Sequence, residues 1–143
     1  MKIAIIDGQG GGIGKIVIEK LRLVFGNELH IIAFGTNALA TSLMLKSGAN
    51  EGASGENAIA VSACDFEIII GSISIIAANS MYGELTPRMA CAIAESSALK
   101  ILIPINKYNI QIAGVKSEPL PHYIDDVVNI LKNYLEDKKN VRV

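Results

Sequence analysis

Residues 2–16 read Lys-Ile-Ala-Ile-Ile-Asp-Gly-Gln-Gly-Gly-Gly-Ile-Gly-Lys-Ile, and this stretch constrains the fold more than any other. A short apolar run, Ile3 to Ile6, meets five glycines in the seven positions from Gly8 to Gly14. A helical pattern then begins. Strand, glycine turn and helix together offer the N-terminus of a helix to an anion. Backbone N–H groups converge there, and the helix dipole adds about half a positive charge. Glycine lets the chain turn sharply and lets a ligand approach without a Cβ in the way.

The spacing narrows the possibilities. G-x-G-x-x-G fails, because the third glycine falls on Ile13. G-x-x-x-G-x-G fits as Gly8, Gly12 and Gly14, a spacing that resembles the cofactor loop of short-chain dehydrogenases. A P-loop fails at both ends: its first glycine is Gln9 and its magnesium-binding hydroxyl is Ile16. Gly11-Gly12-Ile13-Gly14-Lys15 is similar to the core of the ParA-type ATPase loop, but Gly10 stands where the signature lysine belongs. A dinucleotide or related nucleotide loop is the favoured reading, ahead of a degenerate loop with no ligand. Asp7, at the end of the first strand, reads as an acceptor for loop N–H groups that holds the turn. Lys15 opposes the dipole in a first helical turn, which points weakly to a bound anion nearby.

The remaining elements alternate. Strands are expected at residues 3–7, 29–34, 51–53, 67–71, 100–104 and 109–115. Helices are expected at 13–25, 37–46, 57–63, 87–97 and 121–137, with a frayed tail from about residue 138. Thr86-Pro87 is a helix start, an N-cap followed by proline. The stripe of the first helix is read as Ile13, Ile16, Val17, Leu21 and Val24. That of the last helix is Ile124, Val127, Val128, Leu131, Tyr134 and Leu135. The pattern predicts one α/β domain over residues 1–143: a doubly wound, Rossmann-like parallel sheet of five to six strands, helices on both faces and the first strand central. Ligands in such sheets bind beyond the carboxyl ends of the strands. Here those ends carry Gly35-Thr36-Asn37, Gly71-Ser72 and Pro104-Ile105-Asn106.

The candidate nucleotide-binding residues are Gly8, Gln9, Gly10, Gly11, Gly12, Ile13, Gly14, Lys15, Thr36, Asn37, Ser72, Asn79 and Asn106, with NAD(P) or another nucleotide as the cofactor. An NAD site usually places Asp or Glu at the end of the second strand, on the ribose hydroxyls. Thr36 and Asn37 stand there instead, and they serve equally well as caps of the second helix. The loop 77–85 brings Asn79, Ser80, Tyr82 and Glu84 together after the fourth strand. Lys107 is the basic residue best placed to meet an anion. Tyr134 and Lys138 have the spacing of a dehydrogenase pair, but they lie on the closing helix and do not belong to a cleft. No catalytic set emerges.

Half of the 143 residues are apolar, 19% are charged and the formal net charge is −1. That balance gives no electrostatic case for nucleic acid or an anionic membrane. Cys64 and Cys91 read as small buried thiols, and His30 and His122 have no evident partner, so no metal is expected. Without a signal peptide or a membrane-length apolar run, the expected location is cytoplasmic. An apolar chain of this size makes a homodimer plausible.

Asp-Gly-Gln-Gly-Gly-Gly-Ile-Gly-Lys, Gly-Thr-Asn with a following Ala-Thr-Ser, Gly-Glu-Asn-Ala, Gly-Glu-Leu-Thr-Pro and Ile-Pro-Ile-Asn-Lys resemble an uncharacterised family of small proteins from clostridia and related bacteria. The resemblance covers nearly the whole chain. It implies a Rossmann-like domain in a bacterial cytosol and supplies no activity. Three functions remain open: a nucleotide-binding sensor or accessory subunit, a small NAD(P)-dependent oxidoreductase, and an interaction protein with a vestigial glycine loop.

Overall fold

The computed structural model describes residues 1–105 and 109–142. Among these, five strands form one parallel sheet: β1 (Lys2–Asp7), β2 (His30–Gly35), β3 (Glu51–Ser54), β4 (Ile68–Ser72) and β5 (Leu99–Ile103). Their order is β3-β2-β1-β4-β5, with β1 central. The helices are α1 (Gly12–Phe25), α2 (Ala38–Lys46), α3 (Glu56–Ser62), α4 (Pro87–Glu95) and α5 (Leu120–Val141). The order is consistent with a Rossmann-like fold.

The three inner strands are near-continuous aliphatic runs because both faces of the sheet are covered. One core joins Ile3, Ile5 and Ile31 to Val17, Ile18 and Leu21 of α1, Met44 of α2 and Leu131 of α5. The other joins Ala4, Ile6 and Ile69 to Ile59 of α3 and Met89 and Ile93 of α4. Thr86 caps α4 by accepting the Met89 N–H at 3.2 Å, and Pro87 follows at the first helical position.

Several expectations are corrected. In α1 the buried set is Gly14, Val17, Ile18 and Leu21, while Ile16 and Val24 are exposed. The stripe is rotated because Gly14, having no side chain, lets α1 close on Met44. Among the described residues, 109–115 form no strand: Asn109 and Gly114 have φ of 54° and 85°, and a turn bond joins the Val115 N–H to the Ile112 carbonyl. The tail is helical through Val141, with Lys138 against Glu67 and 5.5 Å over the Tyr134 ring. Glu67 precedes β4, so the Tyr134–Lys138 pair lies at the amino end of the sheet, opposite the cleft. Cys64 and Cys91 are both exposed, not buried. Cys91 stands between the inward Ala90 and Ile93 on the outer side of α4. Each histidine has a carboxylate partner: His30 Nε2 lies 2.7 Å from Glu51 Oε2, and His122 Nδ1 lies 2.6 Å from Glu118 Oε2. The Glu118 carboxylate raises the His122 pKa.

Candidate functional site

The strand order reverses between β1 and β4, so a crevice opens beyond Asp7 and Ser72 at their carboxyl ends. The chain enters α1 through the glycine turn at this point. Asp7 is buried and spans the turn, accepting the Gly8 N–H on Oδ1 at 2.8 Å and the Gly14 N–H on Oδ2 at 2.7 Å. It therefore holds the loop, as its position in the sequence implies.

The glycines divide into two kinds. A Cβ on Gly8 would run into the Met81 sulfur and the Thr36 hydroxyl, and one on Gly14 into Met44. Gly11 has φ of 77°, and a Cβ there would lie 2.9 Å from Ala40 Cα. These three let the loop pack against its neighbours. Gly10 and Gly12 differ: a Cβ on either meets nothing within 4 Å. Among the hydrogen bonds of the described residues, none is donated by the Gly12 or Ile13 N–H. The outer lip of the turn is thus open, with two amides of the first helical turn facing no acceptor among the described residues.

Beside the loop, at the end of β2, a polar cluster closes around Glu84. Its Oε1 accepts from Thr36 Oγ1 at 2.6 Å, Asn37 Nδ2 at 2.6 Å and the Gln9 N–H at 3.1 Å. Asn37 also donates to the Gln9 carbonyl at 2.9 Å, and its Oδ1 caps α2 by accepting the Ala40 N–H at 2.9 Å. These donors, the Thr36 hydroxyl foremost, hold the Glu84 carboxyl below the usual carboxylate range. The loop 77–85 delivers Glu84 because its neighbours are anchored: Met81 and Leu85 are buried, and the turn closes through the Asn79 N–H to the Leu85 carbonyl at 2.8 Å. Asn79, Met81 and Tyr82 all have left-handed φ, and Tyr82 is fully exposed at the tip.

On the other side of the crevice the surface is mixed, with aliphatic side chains beside Gln111, Lys116 and Glu118. A cleft of about 540 Å³ is lined by Ile13, Ile73, Ile105, Ile112 and Tyr123, among others. A narrow hollow of about 30 Å³, bordered by Asp7, Gln9, Ile13 and Ser72, marks the crevice itself.

Residues 2–136 match the profile of a domain of unknown function, DUF3842. The chain belongs to that family. No curated protein and no solved structure matches it.

In this DUF3842 domain the candidates from the sequence fall into separate groups. Gln9, Thr36 and Asn37 meet at Glu84. Gly10, Gly12 and Ile13 form the open lip. Gly8, Gly11 and Gly14 are packing glycines. Lys15 is half exposed, 4.0 Å from Glu19 on the next turn. Ser72 is buried, its hydroxyl against that of Ser74, whose carbonyl accepts from Ser80 Oγ at 2.6 Å. Asn79 is exposed and contributes its backbone to the turn. Asn106, like Lys107, lies outside the described residues. The sequence reading missed Glu84 as a site residue, although the polar loop that carries it stood out. Among the described residues no group of three or more His, Cys, Asp or Glu side chains is placed to hold a metal ion. No helix among them is long and apolar enough to cross a membrane.

Proposed function

We propose that this domain binds a nucleotide at the β1–β4 crevice, as a sensor or accessory module. One observation carries the reading: the open lip of the glycine turn, where the Gly12 and Ile13 amides face no acceptor among the described residues. A phosphate is the ligand that such a helix start favours. The largely apolar cleft beside Ile13 has the size and lining of a small-molecule site, with room for a base or other planar group.

Thermal shift and calorimetry with AMP, ATP, NAD, NADP, ADP-ribose and S-adenosylmethionine test the proposal. A ligand present at a hundred times its Kd adds about 2.7 kcal/mol of stability. Gly12→Val then locates the site. The added Cβ meets nothing within 4 Å and the backbone there is not left-handed, so the fold is expected to persist within about 1 kcal/mol. Affinity falls at least tenfold, about 1.4 kcal/mol. Absence of binding by every ligand at millimolar concentration removes the proposal.

A second reading has its own support. Asp7 and Glu84 already take the N–H groups of Gly8, Gly14 and Gln9, as expected of a turn that serves only the fold. An interaction protein, self-associated as a homodimer, then replaces the binding module. Light scattering showing a monomer at high micromolar concentration, together with nucleotide stabilisation, rejects it. A small NAD(P)-dependent oxidoreductase ranks third, because the carboxylate that borders the crevice hollow, Asp7, is engaged by the Gly8 and Gly14 N–H groups of the turn.

A further inference from the structure

We infer that Glu84 recognises the ribose of the bound nucleotide, and that it selects a free 2′,3′-diol over a 2′-phosphorylated ribose. The inference rests on the nucleotide reading above and names its ligand class. Folds of this topology commonly place a carboxylate at the end of the second strand, on the ribose hydroxyls. This chain has Thr36 and Asn37 there and no acid. The structure brings Glu84 to the same corner from the loop after β4, 48 residues from Thr36.

The geometry of the carboxylate fits that task. Thr36, Asn37 and Gln9 all donate to Oε1, which is thereby saturated and fixed. Among the described residues none donates to Oε2, and Glu84 is only half-buried, so Oε2 keeps its lone pairs for hydroxyl donors from outside. The three donors come from the glycine loop and the end of β2, so the carboxylate is held before any ligand arrives. Little side-chain entropy is then lost on binding. An ionised carboxylate only accepts hydrogen bonds, and it repels a phosphate set beside it. Gln9 lies three residues before Gly12, so a ribose at Glu84 keeps its 5′-phosphate within reach of the open amides.

Binding of AMP, 2′,3′-dideoxy-AMP, NAD and NADP to the wild type, Glu84→Gln and Glu84→Asp tests the inference by calorimetry, with circular dichroism melts for each variant. The wild type binds AMP at least tenfold tighter than the dideoxy analogue and NAD at least tenfold tighter than NADP. Glu84→Gln lowers AMP affinity and erases most of the preference for NAD. Glu84→Asp keeps the charge on a shorter stem, serves if the glutamine variant does not fold, and retains part of the preference. Equal affinity of the wild type for AMP and its dideoxy analogue, or an unchanged preference in a folded Glu84→Gln protein, overturns the role of Glu84 and leaves the nucleotide reading standing. No binding of any probe to the wild type overturns both.

Discussion

The two sides of the crevice are built on opposite principles. On the β2 side, Gln9, Thr36, Asn37 and Glu84 satisfy one another, and buried Met81 and Leu85 hold the loop that supplies the carboxylate. On the β5 side, Ile105, Ile112 and Tyr123 line a cleft of about 540 Å³ that is largely apolar, although Lys116 and Glu118 also border it. Hydrogen bonds between fixed groups specify position and reject mismatched donors, whereas apolar walls reward area and tolerate variety. On the proposed reading, a ligand spanning both sides would be read by its polar end on the β2 side and bound by its bulk on the β5 side.

The comparison breaks most readily at the turn between the two sides. Gly11→Val forces a branched side chain into a left-handed backbone and against Ala40 Cα. The expected loss is about 4 kcal/mol, combining strain with overpacking, read as a large fall in the urea midpoint. Gly12→Val, one residue on, is the control that leaves folding nearly intact. Equal losses in the two would mean that the loop is uniformly packed and its lip is not open. Leu85→Ala comes next. Leu85 is fully buried beside Glu84, and its truncation costs about 3 kcal/mol. Hydrogen exchange should show the amides of Gln9 and Asn79 loosening with it. Persistent protection of both would mean that the core does not position the Glu84 cluster.

How far the sequence carries the reader depends on how local each interaction is. Asp7 bonds N–H groups one and seven residues away, and its turn-holding role was legible from the loop itself. The Asn37 cap of α2 and the Thr86 cap of α4 span three residues each and were equally visible. The parallel sheet and the central place of β1 follow from the alternation of strands and helices. Glu84 meets Thr36 across 48 residues, and no local pattern pairs them. The acid missing after β2 was thus a gap in sequence and not in space. Ile110 and Ile112 imitate a strand by alternation, yet Gly114 turns the chain, and both side chains border the open cleft together with Val115. Ile16 and Val24 fell within a helical stripe, but the packing of Gly14 on Met44 set the rotation of α1.

Acid sharpens the contrast at a smaller scale. Hydrogen bonds from Thr36, Asn37 and Gln9 depress the Glu84 pKa in the folded state. A depressed carboxylate contributes stability that is complete above its unfolded pKa and is lost as pH falls through the folded value. The melting temperature should therefore decline as pH drops below about 4, the range of an ordinary carboxylate. In Glu84→Gln this part of the decline should be absent, because the amide does not titrate. Identical acid profiles for the two proteins would mean that the cluster contributes nothing to the pH dependence, and the β2 side would lose its claim to be electrostatically specified.

The smallest effect belongs to the β5 side. The Tyr123 hydroxyl accepts the Glu118 N–H at 3.0 Å and donates to the Lys116 carbonyl at 2.7 Å, pinning the segment before α5 to the helix. Both bonds are exposed, so water replaces them readily. Tyr123→Phe should cost about 0.5 to 1 kcal/mol, the net worth of such a bond. Its clearer signature is faster exchange of the Glu118 amide with little change elsewhere. Ligands held mainly by the apolar wall should keep their affinity within about threefold, because the ring remains and only the hydroxyl is lost. A stability loss matching that of Leu85→Ala would mean that the β5 side is as tightly specified as the β2 side. The division of labour across the crevice would then fail at the residue best placed to reveal it.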